Sequence, residues 1–242
     1  MIEVVDLAKH FGAVHAVRHV SFRAPDGAIT GLLGPNGAGK TTTLRMIATL
    51  VEPTRGNARV DGIDCLADPL AVRARVGVLS DARGLYARLT ARENIAYYGA
   101  LRRMEDAAIE AAIARLADLL DMRDLLDRRT DGFSQGERMK VAIARTLVHD
   151  PPNVMLDEPT NGLDVMTTRK LREVIRSLRE AGKCVLFSSH VMQEVSALCD
   201  EIVIVARGAV VAHGSSDSLL ESSGCTNLED AFVKLSGEEM PA

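Results

Sequence analysis

The chain lacks an apolar run long enough to cross a bilayer. Its most apolar stretches, such as residues 202–206, are strand-sized, whereas a spanning helix needs ~20 predominantly apolar residues. Any service to a membrane is therefore expected to run through a partner. A basic excess is missing too: the formal net charge is -4. This argues against a nucleic-acid binder that relies on a basic surface, although one local site can still take a polyanion. The four cysteines, Cys65, Cys184, Cys199 and Cys225, form no C-x-x-C pair, so neither a zinc nor a redox motif is expected. Reduced thiols in a cytosolic protein are the simpler reading. The opening MIEVVDLAKHF has no basic n-region and no long apolar h-region, and is read as no signal peptide. Internal repeats and low-complexity segments are likewise missing.

What is present is ordinary for a globular protein: 242 residues, 47% hydrophobic and 26% charged. That length allows one large domain or two small ones, with a core that needs no disulfides. Five short apolar runs, Ile29–Leu33, Val76–Leu79, 154–156, 184–187 and 202–205, suit strands buried on both faces of a parallel sheet. Between the third and fourth, Leu171, Val174, Ile175, Leu178 and Ala181 recur at helical spacing. Asp164 is a good N-cap there and Gly182 a good C′ residue. Strand, helix, strand reads as a right-handed βαβ unit. Residues 89–149, rich in Ala, Leu, Arg and Glu, read as several helices, the strongest over 106–120. The first ~25 residues alternate (Ile2, Val4; Val17, Val20, Phe22) as antiparallel strands at a sheet edge do. The expected organisation is a single domain over 1–242. It has an α/β core with a β edge (1–88 and 150–214), an inserted helical subdomain (89–149) and a helical tail (215–242).

Gly34, Pro35, Asn36, Gly37, Ala38, Gly39, Lys40 and Thr41 match G-x-x-x-x-G-K-[ST]. The match follows a strand and opens a helical pattern running to about Leu50, the context a phosphate loop requires. Glycines let backbone N–H groups encircle phosphate oxygens, and the helix N-terminus adds partial positive charge. Lys40 is placed to reach the β and γ phosphates and Thr41 to offer a hydroxyl to Mg²⁺. Residues 154–156 lead into Asp157 and Glu158 at a strand end, where ligands of parallel sheets sit. Asp157 suits a Mg²⁺ ligand and Glu158 a general base. Phe133, Ser134, Gln135, Gly136 and Glu137 precede a helix over 138–148. Ser134-x-x-Glu137 is a capping box, and Ser134 beside Gly136 at a helix start is also a good anion site; both readings stand. His190, after an apolar strand and two serines, is placed to donate a hydrogen bond to a γ phosphate. His15 and His19 are four apart in a strand-like pattern, and metal binding is not expected there.

Together these residues closely resemble the ATP-binding cassette (ABC) family over about 2–235, nearly the whole chain. The resemblance implies a P-loop NTPase (RecA-like) core with a parallel sheet, an N-terminal antiparallel β edge and an inserted α-helical subdomain. It makes 34–41 the Walker A loop, with Thr42 beside it, and 154–158 Walker B. By the same resemblance 133–137 is the signature, 161–164 with Asp164 the D-loop, and His190 the switch histidine. Phe11 stands where the family stacks an aromatic ring on adenine. It also implies ATP and Mg²⁺ as cofactors, with two cassettes holding two ATP molecules head to tail between them. The partners it implies are an integral membrane permease and either a second copy or a related cassette, at the cytoplasmic face of the membrane. Two positions depart from the family pattern. Gln135 and Glu137 stand where the signature Leu-Ser-Gly-Gly-Gln has Gly and Gln. Asp81 stands where a Gln usually contacts Mg²⁺; a carboxylate still suits a hard cation. Segments 78–99 and 133–147 resemble the sodium-extruding, NatA-type branch of bacterial exporters. Competing classes are an exporter of drugs or other small molecules, a soluble cassette ATPase of translation or repair, and a regulatory module that hydrolyses ATP poorly. Translation members usually join two cassettes and repair members insert a long coiled coil; neither feature is in this sequence.

Overall fold

Alternation of apolar positions lays out the sheet. In the computed structural model, which describes residues 1–79 and 84–237, β1 (Ile2–Phe11) and β2 (Val14–Ala24) form an antiparallel hairpin. Next come β3 (Ile29–Leu33), α1 (Lys40–Ile47), β4 (Arg55–Val60), β5 (Ile63–Asp64), α2 (Pro69–Arg75) and β6 (Val76–Leu79). A helical stretch holds α3 (Ala91–Leu101), α4 (Asp106–Leu119) and α5 (Gln135–Leu147). The chain then returns through β7 (Asn153–Asp157), α6 (Val165–Glu180), β8 (Cys184–Ser189), α7 (Met192–Leu198) and β9 (Glu201–Ala206). It finishes with β10 (Ala209–Gly214), α8 (Ser216–Ser223) and α9 (Leu228–Ser236).

The strands form one mixed sheet in the order β5-β4-β1-β2-β10-β9-β3-β8-β7-β6. From β9 to β6 the pairings are parallel. The antiparallel strands expected at one edge are present, but β1 and β2 lie inside that end, with β4 and β5 beyond them. β10 joins the two halves, antiparallel to β9 and parallel to β2. Local alternation carries no information about that order.

The central strands bury both faces. Val154, Leu156, Phe187, Ile202 and Ile204 point into a cluster shared with α3 to α7, while Met155, Leu186, Val203 and Val205 join α1 and the hairpin. Successive side chains on a strand alternate faces, and this is why the apolar runs read as continuous rather than alternating. Each fully buried aliphatic or aromatic side chain contributes ~1.5–3 kcal/mol. Two glycines set how closely helices approach the site strands. A Cβ on Gly77 of β6 would sit 2.5 Å from the Thr146 carbonyl of α5, and one on Gly31 of β3 would sit 2.6 Å from Cys199 Sγ, just after α7.

Candidate functional site

The parallel register brings three loops together. Leu33 lies opposite Ser189 in the β3–β8 pair, and Asp157 opposite Ser188 in the β7–β8 pair. Gly34, Glu158 and His190 therefore leave neighbouring strands at their carboxyl ends, where parallel sheets bind ligands. The 34–41 loop turns through left-handed backbone at Gly37 (φ 82°) and Gly39 (φ 102°), conformations glycine adopts without steric cost. Gly39 caps α1 without any side-chain hydrogen bond. The first N–H groups of that helix have no intrahelical partner and no capping oxygen, which fits an anion.

Lys40 is 5% exposed. Its Nζ donates to the Gly34 carbonyl at 2.6 Å and the Pro35 carbonyl at 3.1 Å, and lies 3.1 Å from Glu158 Oε1. Glu158 Oε2 is 2.8 Å from His190 Nδ1. The Glu158 N–H donates to both the Ser188 hydroxyl (3.0 Å) and the Ser188 carbonyl (3.2 Å). The Ser188 hydroxyl in turn donates to Asp157 Oδ1 at 2.6 Å. Glu158 has a φ of 46°, uncommon for a residue with a side chain. Such strain persists where the surroundings over-determine it. Glu158 Oε1 is buried and accepts no hydrogen bond while facing the Lys40 ammonium. A glycine cradle, an uncapped helix start and a buried cation fit a triphosphate. Asp157 and Thr41 supply the hard oxygens a divalent cation prefers.

Ser134 accepts from the Glu137 N–H at 3.2 Å, and Glu137 Oε2 accepts from the Ser134 N–H at 2.8 Å. The capping box is therefore formed. Those hydrogen bonds to Ser134, with Arg128 beside them, hold the Glu137 carboxyl below its usual range. Gln135 Nε2 donates to the Asn161 carbonyl at 3.0 Å. Asp164 caps α6, accepting from the Met166 and Thr167 N–H groups at 2.9 and 3.0 Å. The Thr167 hydroxyl and N–H depress its pKa. Phe11 ends β1, half exposed, with Lys9 Nζ 5.2 Å from its ring centroid. His15 packs against His10, ring centroids 4.0 Å apart, while His19 pairs with Asp6. Among the described residues no group of three or more potential ligands is placed to hold a metal.

Residues 17–161 match the family model described as "ABC transporter". The chain belongs to the ABC transporter ATP-binding family. Membership implies ATP binding and hydrolysis. Among its relatives, the ABC transporter ATP-binding protein NatA of Bacillus subtilis (strain 168) is 45% identical over 238 residues, covering 96% of this chain and 97% of that one. The daunorubicin/doxorubicin resistance ATP-binding protein DrrA of Streptomyces peucetius is 35% identical, covering 99% of this chain and 74% of that one. An ATP-binding subunit of an ABC transporter superposes with a TM-score of 0.89 at 29% identity, over 97% of this chain and 98% of that one. The dimeric post-hydrolysis cassette MJ0796, bound to ADP and Pi, gives 0.81 at 25% identity, over 89% and 98%.

Within this cassette, Lys40, Asp157, Glu158 and His190 converge as expected. Ser134, Gln135, Gly136 and Asp164 do not join them: among the described residues, no hydrogen bond or ion pair links them to the phosphate loop. Asp81 lies outside the described residues. Sequence reasoning missed Ser188, which holds both acids of the β7 terminus. Its signal was the pair of serines closing the apolar run before His190; β8 extends through both, and both are fully buried.

Proposed function

We propose that the chain is the ATPase subunit of a sodium exporter, working at the cytoplasmic face of the membrane beneath a separate permease. The observation that carries the ATPase part is the Lys40–Glu158–His190 cluster at the ends of three parallel strands. On binding ATP, Lys40 exchanges its loop carbonyls and Glu158 for phosphate oxygens. Glu158 then takes the proton of the attacking water, while His190 orients that carboxylate and donates to the γ phosphate. Phe11 stacks on the adenine, and 34–41 with Thr42 wraps the phosphates. Thr41 and Asp157, with Asp81 as a third oxygen donor, would hold Mg²⁺. The bound cation would neutralise charge on the phosphates.

The signature, with Ser134 and Gln135 exposed and Gly136 half-buried beside them and Asp164 nearby, supports a role against the nucleotide of a second cassette, a copy or a relative, as does the dimeric state of MJ0796. We assign residues 1–242 to one such cassette. The permease docks in the cleft between the core and the helical stretch, a cavity of ≈ 240 Å³ lined by Arg73, Tyr98, Arg102 and Arg145 among others. None of these three arginines forms an ion pair among the described residues, which supports an acidic permease segment there.

Sodium as cargo is supported by the likeness of 78–99 and 133–147 to sodium-extruding exporters. Drug export is the second reading, favoured by the relative named for daunorubicin/doxorubicin resistance. The test is ATP-driven uptake of ²²Na⁺ into inverted membrane vesicles of the protein's own cell. Uptake that is lost in vesicles carrying only the Glu158→Gln chain supports sodium. Daunorubicin accumulation without sodium uptake transfers the cargo to the second reading.

A further inference from the structure

The first turn of α7 carries an expensive residue. Val195 and Leu198, both buried, already anchor this helix, yet Glu194 is only 8% exposed. A carboxylate so buried is costly unless fully partnered. Glu194 Oε2 accepts from the Thr160 hydroxyl at 2.5 Å and the Ser189 hydroxyl at 3.4 Å. Its Oε1 lies 3.6 Å from Arg172 Nη2 on α6. The guanidinium holds that position although its own Nε is buried without a partner.

The identity of these partners is informative. Thr160 stands two residues beyond Glu158. Ser189 immediately precedes His190, and its hydroxyl also accepts from the Val191 N–H at 3.0 Å, just past that histidine. Arg172 belongs to the helix that Asp164 caps. One carboxylate thus ties together the loop after β7, the end of β8 where the next loop begins, and α6. In the same two loops, Glu158 and His190 meet at 2.8 Å. No hydrogen bond or ion pair among the described residues joins Glu194 to either.

We propose that Glu194 is a positioning residue: it holds the two loops in register so that the Glu158–His190 pair forms with the geometry hydrolysis needs. The proposal rests on the site reading given above, in which that pair performs the chemistry. Displacing a reacting group by about 1 Å costs on the order of a hundredfold in rate. The network behaves as a unit, so its members are expected to be non-additive.

The test is steady-state ATP hydrolysis, with nucleotide affinity, by the full chain carrying Glu194→Ala, Glu194→Gln, Thr160→Val, His190→Ala, and Glu194→Ala with His190→Ala. Glu194→Ala is expected to lower kcat roughly ten- to a hundredfold while KM for ATP stays within about threefold. Glu194→Gln, which keeps acceptors for Thr160 and Ser189, recovers most of that loss. Thr160→Val, which keeps the side-chain shape and removes the hydroxyl, shows the same kcat-only defect. The double variant loses no more than His190→Ala alone. Full additivity in the double variant, or a KM rise matching the kcat loss, overturns the positioning role and leaves the site reading intact. An unaffected kcat in His190→Ala overturns the site reading and the proposal with it.

Discussion

Glu158 is fixed from four directions. Lys40 and His190 face its two oxygens, the Ser188 hydroxyl and carbonyl hold its N–H, and its backbone sits at positive φ. Removing only the charge tests its chemistry with little change in shape. Glu158→Gln should still bind ATP while steady-state phosphate release falls by ~10²–10⁴; near-normal turnover would remove the base role. The side chains proposed to be catalytic were legible in the sequence because each sits within a short motif beside a strand. Ser188, Thr160 and Glu194 were not, because their bonds span 31 and 34 residues of chain. Burial pushes the Cys65 and Cys184 thiols up to about 12.

At the scale of elements, caps were the most readable features. The Asp164 cap and the Ser134–Glu137 box form as their spacing predicts, because a cap depends on residues three apart. Strand order depends on contacts the local pattern does not hold, so β10 between β2 and β9 had no signal. The seam between α5 and β6 contains a pH-sensitive group. His149 Nε2 donates to the Val76 carbonyl at 3.1 Å, while its Nδ1 is buried without a partner. Burial first, and then the Arg102 charge, push its pKa from 6.5 to about 4. The folded state therefore resists a proton that the unfolded chain accepts. Stability from this group is whole above pH 6.5 and is lost as pH falls toward 4. The ring is partly solvated, so the loss is discounted to on the order of 1–2 kcal/mol, or roughly 2–8 °C in Tm. Thermal unfolding between pH 7 and 4.5 should show that fall in the parent chain and a flatter profile in His149→Leu. Equal slopes would place the titration elsewhere.

For the whole molecule, the informative fact is what one chain leaves apart. The phosphate loop lies at the ends of β3, β7 and β8, while the signature starts α5 with Ser134 and Gln135 exposed. No helix among the described residues is long and apolar enough to cross a membrane. The α/β class and the inserted helices were legible because periodicity changes at about residue 89 and again near 150. The cargo was not legible from the residues of the site.

Capture from native membranes tests the transporter subunit most directly. Tagged Glu158→Gln protein, held with ATP and Mg²⁺, is recovered from detergent-solubilised membranes of its own cell. A multi-span membrane protein in stoichiometric amount, lost when Arg73, Arg102 and Arg145 are reversed to Glu, is the expected result. Ribosomal or repair proteins in its place, or no membrane protein at all, would contradict it.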